Sequence, residues 1–184
     1  ETDTLAVSGG WNPNLHLTCH HRGVPKWNEE LATFVPDSSA PVGMSVVGRA
    51  KGTMVLAEAI VEGHNQGSAV AAKLGYKASN SDPASTPIVA YNISAQWSVP
   101  SGNNRAWVDF QNDVTAKDIK LANQEGFRSV EHVKRYTTLG MATDQGKTAN
   151  VLAIGIMAEN MEQTMEETGT TIFRPPYGPV AMGA

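Results

Sequence analysis

The sequence predicts a layered α/β segment followed by a small, mainly helical module, and three observations carry that expectation. A short apolar run closed by glycine, residues 42–48, precedes a long helical pattern from Thr53 to Leu74. A polar, Ser/Pro-rich stretch, residues 78–87, then interrupts the chain with the composition of a linker. Beyond it the pattern changes to short helices bounded by capping residues and glycines. The expected division is 1–77, a linker at 78–87, a helical module with short strands over 88–169, and an extended connector over 170–184.

The first element is residues 4–10, Thr-Leu-Ala-Val-Ser-Gly-Gly, an apolar run ending in two glycines, as a buried strand entering a tight loop does. Val42-Gly-Met-Ser-Val-Val-Gly48 repeats the pattern. In the helix that follows, Met54, Leu56, Ala57, Ile60 and Val61 supply an apolar face, and Gly63 and Gly67 lie four apart, where a neighbour could approach closely. Gly75 is a natural stop. Past the linker, residues 88–99 and 105–110 are rich in β-branched and aromatic residues and predict strands. Thr115 and Asp118 form a capping box for a helix that ends at Gly126. Ser129 caps a second helix, with Val130 and Val133 inward and Glu131 and Arg135 paired at i, i+4. A third runs from about Thr148 to Glu162, and Thr164 with Glu167 forms another capping pair before Gly169. The proline-rich tail, Phe173 to Val180, cannot be helix or central strand.

Bulk composition narrows the function classes. The chain has 184 residues, 41% hydrophobic and 17% charged, with a net charge of −4. That charge argues against wholesale nucleic-acid binding. No apolar run reaches the ~20 residues that span a bilayer. The opening residues show no basic or apolar leader pattern. The single cysteine, Cys19, cannot form an internal disulfide and fits a reducing compartment, so the expected location is cytoplasmic.

One local constellation points to chemistry. Thr143-Asp-Gln-Gly-Lys-Thr148 stands just before a helix, where unpaired N–H groups attract anions. Gly146 allows close approach, Lys147 adds charge and Thr148 a hydroxyl, while Lys134 and Arg135 could complete a basic pocket. The expectation is a phosphate seat at Gln145, Gly146, Lys147 and Thr148. It is not a P-loop, because Met141 occupies the first-glycine slot and a helix precedes it. The competing reading is that Thr143 or Thr148 caps a helix and Lys147 is solvated. Cys19-His20-His21 lacks a second ligand pair at zinc spacing and reads as a loop. No pattern names a catalytic residue or a metal ligand.

The stretches Trp107 to Ile119 and Glu125 to Asn150, with the tail Thr170 to Val180, closely resemble the α subunit of heterotetrameric sarcosine oxidases. Ser8-Gly-Gly-Trp-Asn-Pro13 and the Gly48-to-Gly67 turn and helix resemble the closing part of that family's pyridine-nucleotide domain. The resemblance implies an internal piece of the subunit. Residues 1–77 would be the end of a two-dinucleotide-binding-domain, flavoprotein-like fold. The helical module resembles a bacterioferritin-associated ferredoxin. The family's glycine fingerprint would lie upstream, and its tetrahydrofolate-binding domain downstream.

The resemblance further implies oxidative demethylation of sarcosine to glycine with peroxide formation, NAD on this subunit, and an FMN shared with the β subunit. The β subunit and smaller subunits would be partners. Substrate oxidation belongs to FAD in the β subunit, which accounts for a segment with no catalytic set. The candidate cofactor contacts are Gly10, Trp11 and Gly48, together with Arg135, Thr137, Thr138, Gln145, Gly146, Lys147 and Thr148. Related subunits bind a [2Fe–2S] cluster through cysteines whose positions here are Asp109, Gln111, Asp144 and Ala149, so the module is expected without its cluster. Two functional readings stand beside each other: a segment that contributes to FMN and NAD sites, and an assembly module that bridges subunits and touches no cofactor. A stand-alone iron–sulfur carrier is excluded by the cysteine count.

Overall fold

The computed structural model describes residues 3, 4, 6, 9–37, 40–77, 81–99, 104–173, 175, 178 and 180–183, with the backbone alone at His20 and His21. The chain divides into two compact units, Glu1–Asn14 with Ser45–Tyr91, and Leu15–Met44 with Asn92–Ala184.

The first unit is built on one helix, α1 (Leu56–Lys73). It ends where expected: Gly75 sits at φ +82°, the Tyr76 N–H donates to the Ala71 carbonyl at 2.9 Å, and the Gly75 N–H donates to that of Ala72 at 3.1 Å. Glu62, on α1, fastens the preceding turn by accepting from the Gly48 N–H (2.8 Å), Lys51 Nζ (3.1 Å) and Thr53 Oγ1 (3.0 Å). No residue of α1 is buried, and Leu56, Val61, Val70 and Leu74 face solvent.

Three expectations need correction here. Residues 42–48 form no strand: a turn at 42–43 leads through irregular backbone into the 3-10 turn Gly48–Ala50, with Gly43 and Gly48 at φ of +86° and +62°, which a strand does not accommodate. Gly63 and Gly67 face open space rather than a close neighbour. Of the strand expected over 4–10, residues 5, 7 and 8 lie outside the described residues, and Gly9 and Gly10 carry no strand.

The second unit holds the core. A hairpin pairs β1 (Lys26–Asn28) with β2 (Thr33–Val35), and an irregular ribbon pairs β3 (Trp107–Asp109) with β4 (Val114–Thr115). The helices are α2 (Ala116–Gln124), α3 (Val130–Thr137), α4 (Asn150–Met161) and the single turn α5 (Met165–Thr168). Both expected capping boxes are present, Thr115 with Asp118 and Thr164 with Glu167. Ser129 occupies the N-cap of α3 without a side-chain cap bond, and Glu131 pairs with Arg135 at 3.3 Å.

Ile119 and Ala122 of α2, Val133 of α3, and Ile154 and Met157 of α4 form the centre of one apolar cluster. Leu15 and Phe34 are buried in that same cluster. This is why residues 15–44 group with the second unit and not with the helix of the first. Trp97 lies against α4 at Gly155 so closely that a Cβ there would meet the indole ring. The ring also packs on Trp27, which meets Phe34 edge-on with centroids 5.1 Å apart.

Of the two expected post-linker strands, only the one within 105–110 forms, as β3. Residues 88–99 run apolar through Tyr91 and then alternate apolar and polar side chains to Val99, but have no ladder partner among the described residues. Among the described residues no helix is long and apolar enough to cross a membrane, and no cluster of three or more His, Cys, Asp or Glu could hold a metal ion.

Candidate functional site

The last turn of α3 brings Lys134 and Arg135 to the rim of an open groove of about 400 Å³ in the second unit. Helix α3 then ends abruptly. Thr138 and Gly140 take φ of +62° and +64°, which turns the chain back as one wall of the groove: Gly140, Met141, Ala142 and Gln145. The tail lines the groove as well, through Ile172, Phe173 and Pro175. Glu131 also lines the groove; its carboxylate and carbonyl hold the Arg135 guanidinium, the carbonyl at 2.9 Å. Two cations, one of them held by Glu131, and a carboxamide therefore share the groove with apolar side chains, a lining suited to an anionic ligand with an apolar body.

Side chains fix the 138–148 loop from both flanks. The buried Asp109 of β3 accepts from the N–H groups of Gln111 and Asn112 (2.9 and 3.2 Å) with one oxygen and from that of Gly140 (2.8 Å) with the other. Gln111 Oε1 accepts from the Thr143 N–H and hydroxyl at 3.1 and 2.6 Å, and Asn112 donates to the Thr138 carbonyl at 2.7 Å. Asp144 accepts from the Gly146 and Thr148 N–H groups (3.1 and 3.2 Å) and from Thr148 Oγ1 (2.6 Å). Burial pushes its carboxyl up, but these bonds and the charge of Lys147 outweigh that and hold it below its usual range.

The ten sequence candidates separate accordingly. Arg135 and Gln145 meet in the groove, joined by Lys134. The four amides expected to seat a phosphate all have acceptors within the chain. Gln145 N–H donates to Ala142 O (2.9 Å), Lys147 N–H to Asp144 O (3.2 Å), and those of Gly146 and Thr148 to the Asp144 carboxylate. Helix α4 accordingly begins at Asn150 rather than Thr148. Thr137 Oγ1 donates to the Val133 carbonyl (2.7 Å) and Thr138 Oγ1 to that of Thr137 (2.6 Å), both within the end of α3. Gly10 and Trp11 are exposed in the first unit, and Gly48 is buried there.

Lys147 acts on a different neighbour. His16 is buried, with its ring 4.4 Å from that of Phe173. Burial pushes its imidazole below 6.5, and the Lys147 charge lowers it further. Burial likewise pushes the Cys19 thiol up, so the cysteine is protonated at neutral pH. Of the four positions aligned with cluster cysteines, Asp109, Gln111 and Asp144 are the loop-fastening side chains, and Ala149 is buried in the core.

Sequence reasoning missed Glu131 as a groove residue, the tail wall, and the buried Asn150 beneath both walls. A signal for Asn150 existed: a carboxamide at the start of an otherwise apolar helix needs a polar partner.

Comparison with known proteins agrees with the sequence reading. The Sarcosine oxidase A3 domain family matches residues 103–184. The sarcosine oxidase subunit alpha of Rhizobium meliloti is 42% identical over 191 residues, covering 99% of this chain and 18% of its own length. Those of Corynebacterium sp. strains P-1 and U-96 are 38% and 37% identical, each covering 100% of this chain and 20% of their own length. The chain thus spans about a fifth of these relatives. Among solved structures, L-proline dehydrogenase from P. horikoshii superposes with a TM-score of 0.72 at 19% identity, over 95% of this chain and 37% of that one, a likeness of fold. Over its full length the chain is homologous to the sarcosine oxidase alpha subunit, of which it spans about a fifth, and residues 103–184 match the Sarcosine oxidase A3 domain.

Proposed function

We propose that this segment works within the α subunit of a heterotetrameric amine oxidoreductase that demethylates sarcosine, and that its second unit holds the phosphate end of an FMN shared with a β subunit. The observation that carries the reading is the groove, which Lys134, Arg135 and Gln145 line together with Met141, Ile172 and Phe173. A phosphate dianion suits the two cations, and the apolar wall suits the aromatic body of a flavin. When bound, FMN supplies reversible electron transfer; this chain's residues bind and orient it. The 145–148 amides are engaged elsewhere, so the phosphate is held by side chains, and Glu131 keeps the Arg135 fork in place.

NAD contact through Gly10, Trp11 and Gly48 of the first unit belongs to the same reading, as do the smaller subunits and a cytoplasmic location. Tetrahydrofolate would act in a domain outside this segment. The assembly-module alternative draws support from one observation: the N–H groups of Gly140, Thr143 and residues 145–148 have acceptors within the chain.

FMN and FAD content, measured separately in the reassembled complex, tests the proposal. A charge-assisted contact contributes about 1.5–3 kcal/mol, so Arg135→Ala and Lys134→Ala each weaken FMN retention by roughly one to two orders of magnitude. Lys147→Ala does less, and FAD content stays constant in all three. Normal FMN content in the Lys134→Ala/Arg135→Ala double variant would put the assembly module in its place.

A further inference from the structure

The two walls of the groove belong to different parts of the chain, the 138–148 loop and the tail residues 170–173 and 175. Neither has regular secondary structure to hold it at a fixed distance from the other. One side chain reaches both. Asn150, buried at the first turn of α4, donates from Nδ2 to Thr171 Oγ1 at 3.1 Å in the tail. Its carboxamide also lies directly beneath Gly140 and Gly146, where a Cβ on either glycine would collide with it. Both glycines are at positive φ, +64° and +77°, so the backbone can lie flat on the amide only where a side chain is missing. Gly140 is further pinned from β3 by Asp109. The Asn150 N–H closes the arrangement by donating to the Gly146 carbonyl at 2.9 Å.

We propose that Asn150 is a positioning residue for the groove: its carboxamide couples the loop wall to the tail wall and so sets the width into which a ligand fits. Thr171 is the tail-side partner through which it acts. This rests on the FMN reading for the ligand's identity, but the coupling itself is a property of the two walls. Ile172 and Phe173 follow Thr171 directly, so releasing the Thr171 hydroxyl frees the apolar wall. Gly140 and Gly146 flank Met141, Ala142 and Gln145, so removing the amide beneath them loosens the loop side.

The test uses the assembled holoprotein and two readouts, amide exchange over 138–148 and 170–173, and FMN content relative to FAD. Asn150→Ala is expected to speed exchange in both stretches together by roughly tenfold and to lower FMN retention by a similar factor, as the loss of a buried hydrogen-bonded amide implies. Thr171→Val keeps the shape and removes only the hydroxyl, so it produces the same paired change to a smaller extent. Combined with Asn150→Ala it adds nothing, because the two act through one bond. If Asn150→Ala does not fold, Thr171→Val decides alone. Faster exchange in one stretch with the other unchanged overturns the coupling. Faster exchange in both with FMN retained, while Arg135→Ala releases FMN, overturns the positioning role and leaves the FMN reading intact. FMN retained in Arg135→Ala as well removes that reading and the positioning role with it.

Discussion

Gly155→Ala is a substitution that helix propensity and packing judge oppositely. In the middle of α4, alanine is favoured over glycine by about 1 kcal/mol. The new methyl, however, would coincide with atoms of the Trp97 ring. A side chain forced off its seat in a packed core costs ~1–3 kcal/mol, and here the whole indole must move, which puts the cost at the upper end. The net is a loss of about 1–2 kcal/mol, the clash outweighing the propensity. Trp97→Ala alone is destabilising too, but with the ring gone the sign of the second change inverts, and Gly155→Ala then stabilises by about 1 kcal/mol. Native-state hydrogen exchange at amides 150–161 reads both effects locally, with roughly tenfold faster opening in the single variant. Slower exchange in Gly155→Ala with Trp97 present would refute the packing argument.

Thr115→Ala and Thr164→Ala each remove a capping box and should cost about 1 kcal/mol, read as faster exchange confined to α2 or α5. Asp109→Ala leaves the Gly140, Gln111 and Asn112 amides without their acceptor and should cost about 1–3 kcal/mol, with exchange at Gly140 rising most; an unchanged Gly140 amide refutes the assignment. His16 favours its neutral form when folded, so its contribution is complete above 6.5 and declines as pH falls through the folded value below it. Urea unfolding at pH 7.5 and 5.5 should show a drop that His16→Gln flattens. Acid-labile sulfide and stoichiometric iron should be missing from anaerobically purified protein, and their presence would overturn the cluster-free expectation.

The helices of the second unit were legible because their signals are local. Thr115 and Asp118, Thr164 and Glu167, and Gly126 each act within one turn of the residues they cap. The β1–β2 hairpin was not legible. Its strands are three residues long, and its turn, Glu29-Glu-Leu-Ala32, places Ala32 at φ +46° without a glycine or asparagine to announce it. Residues 88–99 have the β-branched and aromatic content of a strand and no ladder among the described residues, since composition says nothing of a neighbouring edge. The basic pair Lys134 and Arg135 was visible in the sequence, and the groove confirms their proximity to Gln145. The phosphate seat on the 145–148 amides was read from the approach of a helix start. It could not account for Asp144, whose carboxylate reaches two of those amides, because a side chain's choice between solvent and its own backbone depends on the loop's path.

That carboxylate has a consequence for how the groove meets a guest. A loop that waits for an anion to supply its acceptors is slack until the anion arrives, and part of the binding energy goes into tightening it. Here Asp144 already supplies the acceptors for the Gly146 and Thr148 amides, so those two bonds do not wait on a ligand. A visiting molecule finds a finished surface and spends its interactions on being held. On the proposed cofactor reading, departure of the guest would leave these two bonds in place, and the loop would offer a neighbouring protein the same anchored backbone there with or without it.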